Sequence, residues 1–461
     1  MIVPSRVGLV PAEGVASSCF RELDLFASAR TCMRFPEPRV SLRFAPLYPK
    51  EKPSSPPCPH KTSVNCDVLV VGASPSGIAA ATSAARSGAD VILLDKEMGG
   101  RFDHPANTFF DGMFRRAGLE VEREYVLHDL AGMRIISPGG CAVEIAAPGK
   151  FIDRSRFDSI YLKRAEGAGV RLMRGEAKSA PHSGSGRRVE TDAGDIGARV
   201  VIDASGVDGL ISRKEGLSPL KHPEDVAWAA EAVVELSGLG EERRFEYFVG
   251  SVSPGWKATF SPGGGDLATL GVFVRGHGRD VRGYLDRFVE LFKKYKSGEY
   301  DVSEMKIVSI NRGGDAIAAL PGEIVADSLM ATGAAAGMSG IAYAMRAGTM
   351  AGEVAAGAAA AGDVSIRRLL AYPRWWRREF GLEYRMGRAS LLTLGEMGDG
   401  EIDRLAFGLA KRDLGVPSSS TITSSTISSS SSSRTALSAG IAVARSHPRT
   451  ISGLLRNFIK G

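Results

Sequence analysis

Cysteine is scarce in this 461-residue chain. Cys19, Cys32, Cys58, Cys66 and Cys141 are odd in number and scattered, with no CxxC pair. That excludes a disulfide framework and a cysteine-based zinc site. The seven histidines form no HExxH or HxH cluster, so no metal site is predicted. No basic start followed by an apolar run occurs in the first 30 residues, so no secretory signal is read there. Long hydrophobic runs are also missing. The longest uncharged stretch, Ser328–Met345, is mostly Ala and Gly, which predicts a buried Gly-rich turn and helix rather than a membrane span. Hydrophobic residues at 44% and charged residues at 24% exclude collagen-like, coiled-coil and mainly disordered chains.

The formal charge of +6 is unevenly placed. Residues 1–63 carry +4 and residues 434–461 carry +5 with no acid, leaving −3 between them. A basic nucleic-acid-binding core is therefore not expected. Residues 1–63 read as a Pro-rich, disordered extension, with six prolines between Pro46 and Pro59. Order is predicted to begin at Cys66. CDVLVVG is a buried strand, IAAATSAARSG a helix closed by Gly88, and ADVILLDK the next strand, together a right-handed βαβ unit. Residues 245–275 alternate as antiparallel strands, 281–296 form an amphipathic helix, and 364–412 are helical. The Ser/Thr tract Pro417–Ser433 is a flexible tether.

The strongest local signal is Gly72-Ala73-Ser74-Pro75-Ser76-Gly77 between strand and helix, with Asp95 at the end of the second strand. This is the context of the dinucleotide fingerprint. Gly72 permits the tight turn, the helix N-terminus offers N–H groups to a pyrophosphate, and Asp95 accepts from ribose hydroxyls. Ser74 stands where the fingerprint has its middle glycine. It crowds the pyrophosphate path, or donates its hydroxyl to it.

From about residue 64 to 412, the chain resembles the geranylgeranyl reductase family of flavoproteins. The resemblance rests on this fingerprint, IDRSRFD (152–158), VIDASG (201–206), TGAAAGMSGIAYAMRAGTMAGE (332–353) and YPRWWRREFG (372–381). It implies an α/β fold: a Rossmann-like FAD-binding domain (64–125, 150–215, 305–363) holding a doubly wound parallel sheet. An inserted antiparallel substrate domain (126–149, 216–304) and a C-terminal helical region (364–413) follow, then a linker (414–434) and a basic tail (435–461). It implies FAD contacts from Gly72, Ser74, Ser76, Gly77, Asp95, Lys96, Arg154, Ala177, Asp203, Gly333, Ala334, Gly337, Gly340 and Ile341. Ala334 replaces the family's Asp, and the loop before Gly340-Ile341 is about six residues short of the family's. The family's PxxYxWxFP motif corresponds to 254–262, implying substrate contacts from Pro254, Trp256, Phe260 and Pro262. Lys257, Thr259 and Ser261 stand at its Tyr, Trp and Phe positions. The family's cysteine loop is unmatched in RFDHPANTFFDG, where His104 reads as a solvated loop residue or a proton donor.

The implied activity is FAD-dependent reduction of isoprenoid C=C bonds in membrane lipids, with no catalytic residue identified. A flavin monooxygenase or halogenase, and a non-catalytic lipid-binding relative, remain as alternatives. No second fingerprint marks a nicotinamide domain, which points to a ferredoxin-like or transiently bound nicotinamide donor. In the tail, Ile451, Leu454, Leu455, Phe458 and Ile459 recur at helical spacing among Arg449, Arg456 and Lys460. That pattern suits a helix at an anionic membrane surface, and equally one packed on the parent domain. The expected location is cytoplasmic and peripherally membrane-bound.

Overall fold

The computed structural model describes residues 64–98, 106–410, 452–453 and 455–457. The Pro-rich extension, His104, the Ser/Thr linker and most of the basic tail lie outside the described residues.

The first strand, Val64–Val71, is apolar and buried on both faces over Val68–Val71, as the centre of a parallel sheet requires. It pairs in parallel with Val91–Asp95 on one side and Gly194–Asp203 on the other. Arg171–Arg174 extends the sheet beyond the second strand, and Leu329–Ala331 pairs in parallel with the far end of Gly194–Asp203. The doubly wound parallel sheet inferred from the sequence is thus present, with antiparallel strands added at one margin.

Two helices cover one face of this sheet at unusually close range. The first helix, Pro75–Arg86, and the long helix, Ile341–Ala360, cross backbone to backbone. A Cβ on Gly348 would lie 2.0 Å from the Ser76 carbonyl oxygen, and one on Gly352 would lie 2.2 Å from that of Ala80. The Ala- and Gly-rich stretch Ser328–Met345 is buried for most of its length and leads directly into this crossing. Ala347, Ala351 and Ala355 complete that packing against Ile78, Val70 and Ile202. Among the described residues, no helix is long and apolar enough to cross a membrane.

A second, seven-stranded sheet is mostly antiparallel. Its order is Lys306–Asp315, Ala227–Glu235, Leu267–Arg275, Lys257–Pro262, Arg244–Phe248, Gly132–Ile136, Ala142–Ile145. The helix Arg282–Lys296 lays Leu285, Phe288, Val289 and Phe292 on one face of it, against Phe260, Leu270 and Val272. Because side chains alternate along a strand, the opposite face carries Glu231, Lys257, Thr259, Ser261 and Asn311.

Four helices follow: Ile366–Leu369, Ala371–Glu379, Gly381–Glu396 and Asp399–Ala410. Tyr372, Trp375 and Trp376 are buried against the long helix, so these aromatics serve packing. Buried Asp225 joins the helices to the second sheet, accepting from Arg275 at 2.9 Å and Arg388 at 2.7 Å. In the tail, the Asn457 side-chain amide donates to Thr393 Oγ1 at 3.1 Å, and Gly453 sits against the same threonine. That edge of the tail packs on the helix Gly381–Glu396, while Leu455 is 59% exposed.

The helix crossing is directly testable. Gly348→Ala forces backbone apart and should lower unfolding free energy by about 1–3 kcal/mol. Gly357→Ala, on the same helix with nothing within 4 Å of the added carbon, should raise it by up to about 1 kcal/mol. Denaturant unfolding of both variants distinguishes the two expectations.

Candidate dinucleotide site

The parallel strands end in register. Val71 lies beside Asp203, and Asp203 beside Ala331, so the turns that follow share one edge of the sheet. Gly72, Asp95, Asp203 and Gly333 are brought to that edge. This is where open α/β sheets bind ligands. Arg154, at the start of the helix Arg154–Gly167, is held by Asp158. Lys96 is exposed just beyond the second strand, and Ala177 is buried on the strand Ala177–Ser179.

The turn after the first strand is fixed by sterics. Gly72 has φ +105°, and a Cβ there would meet the Ala204 carbonyl oxygen at 2.5 Å. Ser74 neither blocks the turn nor reaches outward. Its Oγ caps the first helix by accepting from the Gly77 N–H at 3.3 Å, and it lies 3.2 Å from the Ala204 carbonyl oxygen and 3.0 Å from Ser76 Oγ. The hydroxyl is thus engaged within the turn.

The two acidic residues are engaged as braces. Asp95 is buried, with Oδ2 accepting from the Ala73 N–H at 2.8 Å and Oδ1 from the N–H groups of Glu97 and Met98. Asp203 is fully buried. It accepts from the N–H and hydroxyl of Ser205 and from the N–H and hydroxyl of Ser212. Its side chain pins the turn after the third parallel strand, and the backbone rather than the carboxylate borders the crevice.

The second Gly-rich segment faces the first. Gly333 has φ +64° and lies so near Ser76 that a Cβ would approach its Oγ to 2.1 Å. Ala334 is half-buried, and Gly337 packs on Leu320. Gly340 is exposed and caps the long helix, whose first-turn N–H groups at Ile341 and beyond have no partner within the helix. The nearest atoms to a Cβ on Gly340 are side-chain atoms of Met113 and Tyr343 at 3.7 Å. Two helix N-termini and side-chain-free turns at one sheet edge fit a dinucleotide's pyrophosphate and an anionic ring system.

The proposed substrate residues divide. Pro254 and Trp256 line a cavity of about 340 Å³ with Leu394, Met397 and Asp399. Phe260 is elsewhere. It is fully buried under the helix Arg282–Lys296, 4.9 Å from the Phe292 ring, because strand alternation points it to the helix side. Pro262 closes the same strand and is buried.

The opposite sheet face holds residues that motif matching did not assign. Glu231 is buried, and loss of solvation pushes its carboxyl up to about 7, against the attraction of Lys257 and a hydrogen bond from the Ala106 N–H. Burial also raises Asp315, again against Lys257. The Lys257 ammonium lies 3.2 Å from the Tyr247 hydroxyl and over the rings of Tyr247, Phe273 and Trp256. An acid in the middle of a hydrophobic strand, AWAAEAVVE, was the available signal for Glu231.

Comparison with known proteins agrees with this geometry. A family described as FAD dependent oxidoreductase matches residues 67–219. Digeranylgeranylglycerophospholipid reductase 1 of Methanothermobacter thermautotrophicus is 34% identical over 364 residues, 74% of this chain and 89% of that protein. A geranylgeranyl bacteriochlorophyll reductase-like structure from Thermoplasma acidophilum superposes with TM-score 0.73 at 21% identity, over 86% of this chain and all of that one. The flavin-dependent brominase Bmp2 shares the fold at TM-score 0.58 and 19% identity, covering 77% of this chain and 96% of its own. Sheet edge, turns and paired helix N-termini therefore define an FAD-dependent oxidoreductase. Within that class, the chain belongs to the geranylgeranyl reductase family.

Substitutions should separate cap from cradle. Ser74→Ala removes a helix cap and should cost about 1 kcal/mol of stability while leaving FAD bound. Gly333→Ala meets Ser76 and should weaken FAD binding about 10-fold or more, if 1–3 kcal/mol of overpacking is expressed at the site. Thermal melts and flavin titration read the two effects.

Proposed function

We infer that this protein reduces C=C bonds in the geranylgeranyl chains of membrane lipids. The observation that carries the reading is the 34% identity to a digeranylgeranylglycerophospholipid reductase across nearly all of that protein. Bound FAD supplies the hydride. The chain's own residues do the rest. Gly72, Ser76 and Gly77 shape the first turn toward the pyrophosphate, with Lys96 and Arg154 as nearby cations. Gly333, Ala334, Gly337, Gly340 and Ile341 form the opposing wall, where the N–H groups of the long helix favour negative charge on the ring system. Asp95 and Asp203 hold the turns in place, and Ala177 is buried within the same sheet.

The cavity at Pro254 and Trp256 is the proposed path for the prenyl chain. Exposed Leu382 and Met386, one turn apart on the helix Gly381–Glu396, exposed Leu455 and the basic composition of residues 434–461 support a peripheral membrane role. Electrons are proposed to come from a ferredoxin-like protein or a transiently bound nicotinamide, and the site of action is cytoplasmic.

The test is an anaerobic incubation of the dithionite-reduced, FAD-loaded protein with digeranylgeranyl phospholipid. Mass spectrometry should show products gaining two hydrogens for each double bond reduced. Oxygen-dependent hydroxylation or halogenation without such products would contradict the reading. Protein that takes up no FAD would favour a non-catalytic lipid-binding role.

A further inference from the structure

Saturating a C=C bond by hydride transfer also requires a proton, and the residues implied by the family motifs include no donor for it. Three segments meet on the face of the second sheet that turns away from the helix Arg282–Lys296. They are the sheet itself, the chain from Ala106 to Met113, and the turn at Ser339–Gly340. Thr108 Oγ1 contacts Ser261 Oγ at 2.5 Å, Met113 is a nearest neighbour of Gly340, and Asp315 is hydrogen-bonded with Ser339. Glu231 lies within this junction. In strand register it stands in a row with Asn311, Gly271 and Thr259. The missing side chain at Gly271 leaves the space into which it leans, with Oε2 only 3.5 Å from where a Cβ would be. The Ala106 N–H donates to its carboxylate, while Oε1 has no hydrogen-bond partner among the described residues. A buried carboxyl with an unpartnered oxygen costs stability, and a functional role accounts for keeping it.

We propose that Glu231 is the proton donor of the reduction, a deepening that rests on the reductase reading above. Hydride from the reduced flavin forms a C–H bond at one alkene carbon, and the Glu231 O–H bond breaks as its proton adds to the other carbon. The alkene gains two electrons and two hydrogens, the flavin is oxidised by two electrons, and Glu231 is left as a carboxylate. Lys257, held in its aromatic box, stabilises that carboxylate, and solvent restores the proton. The charged groups facing Glu231 are Lys257 and, through the same lysine, Asp315. Burial favours the neutral acid, so Glu231 keeps its proton below about pH 7 and loses it as pH rises above that.

The experiment compares FAD-loaded wild type with Glu231→Gln, which keeps shape and cannot donate. Infrared difference spectra should show a protonated-carboxyl band in wild type that titrates near pH 7 and is missing from Glu231→Gln. The anaerobic single-turnover rate with digeranylgeranyl phospholipid should fall in wild type as pH rises through about 7. In Glu231→Gln it should be about 10²–10⁴-fold lower and lack that limb, with flavin content and reduction by dithionite unchanged. Should Glu231→Gln fail to fold, Glu231→Asp carries the test, with a displaced pH limb expected. Wild type yielding no saturated product sinks the reductase reading itself. Wild type active while the variant keeps the same rate and pH limb overturns the assignment of Glu231 alone.

Discussion

Contact between two helix backbones governs this structure. The helices Pro75–Arg86 and Ile341–Ala360 approach until the Ser76 and Ala80 carbonyl oxygens occupy the places of absent side chains on Gly348 and Gly352. This closeness brings the fingerprint turn beside the second Gly-rich segment, with Gly333 lying against Ser76. A wider crossing would separate the two helix N-termini and dissolve the anion-favouring edge they share. The edge that fits a dinucleotide is thus a consequence of packing, and it is built from backbone geometry more than from charged side chains.

That origin explains why the departures from family motifs leave a coherent site. Ser74 replaces a glycine, yet its hydroxyl is drawn inward as a helix cap. Ala334 replaces a carboxylate, and the helix N–H groups beginning at Ile341 remain available at the same edge. The buried carboxylates Asp95 and Asp203 fix the turns by accepting backbone N–H groups. Rigid turns reduce the ordering cost of holding a flexible dinucleotide.

Much of the parallel sheet was legible from sequence, because continuous apolar runs bounded by Gly-rich turns report central strands directly. The stretch Ser328–Met345, read as turn and helix, holds both, but they follow a short strand, Leu329–Ala331, that the composition did not signal. Phe260 was less tractable. The motif spacing aligned it with substrate aromatics, but the strand's register turns it to the helix side, and register follows from pairing with Leu267–Arg275. Asp203 likewise depended on Ser205 and Ser212, and the second of these is nine residues distant. Glu231, Lys257 and Asp315 were hidden for a related reason. They come from separate strands, and only the sheet's pairing order places them on one face.

On this reading the crevice holds the flavin that reduces an isolated C=C bond of a prenyl lipid. Stopped-flow mixing of the anaerobically reduced holoprotein with vesicles of digeranylgeranyl phospholipid tests it most directly. The oxidised-flavin absorbance should return without oxygen, matched by loss of lipid double bonds and dependent on their presence. Flavin that stays reduced against that lipid, yet reoxidises rapidly when oxygen alone is admitted, would contradict it.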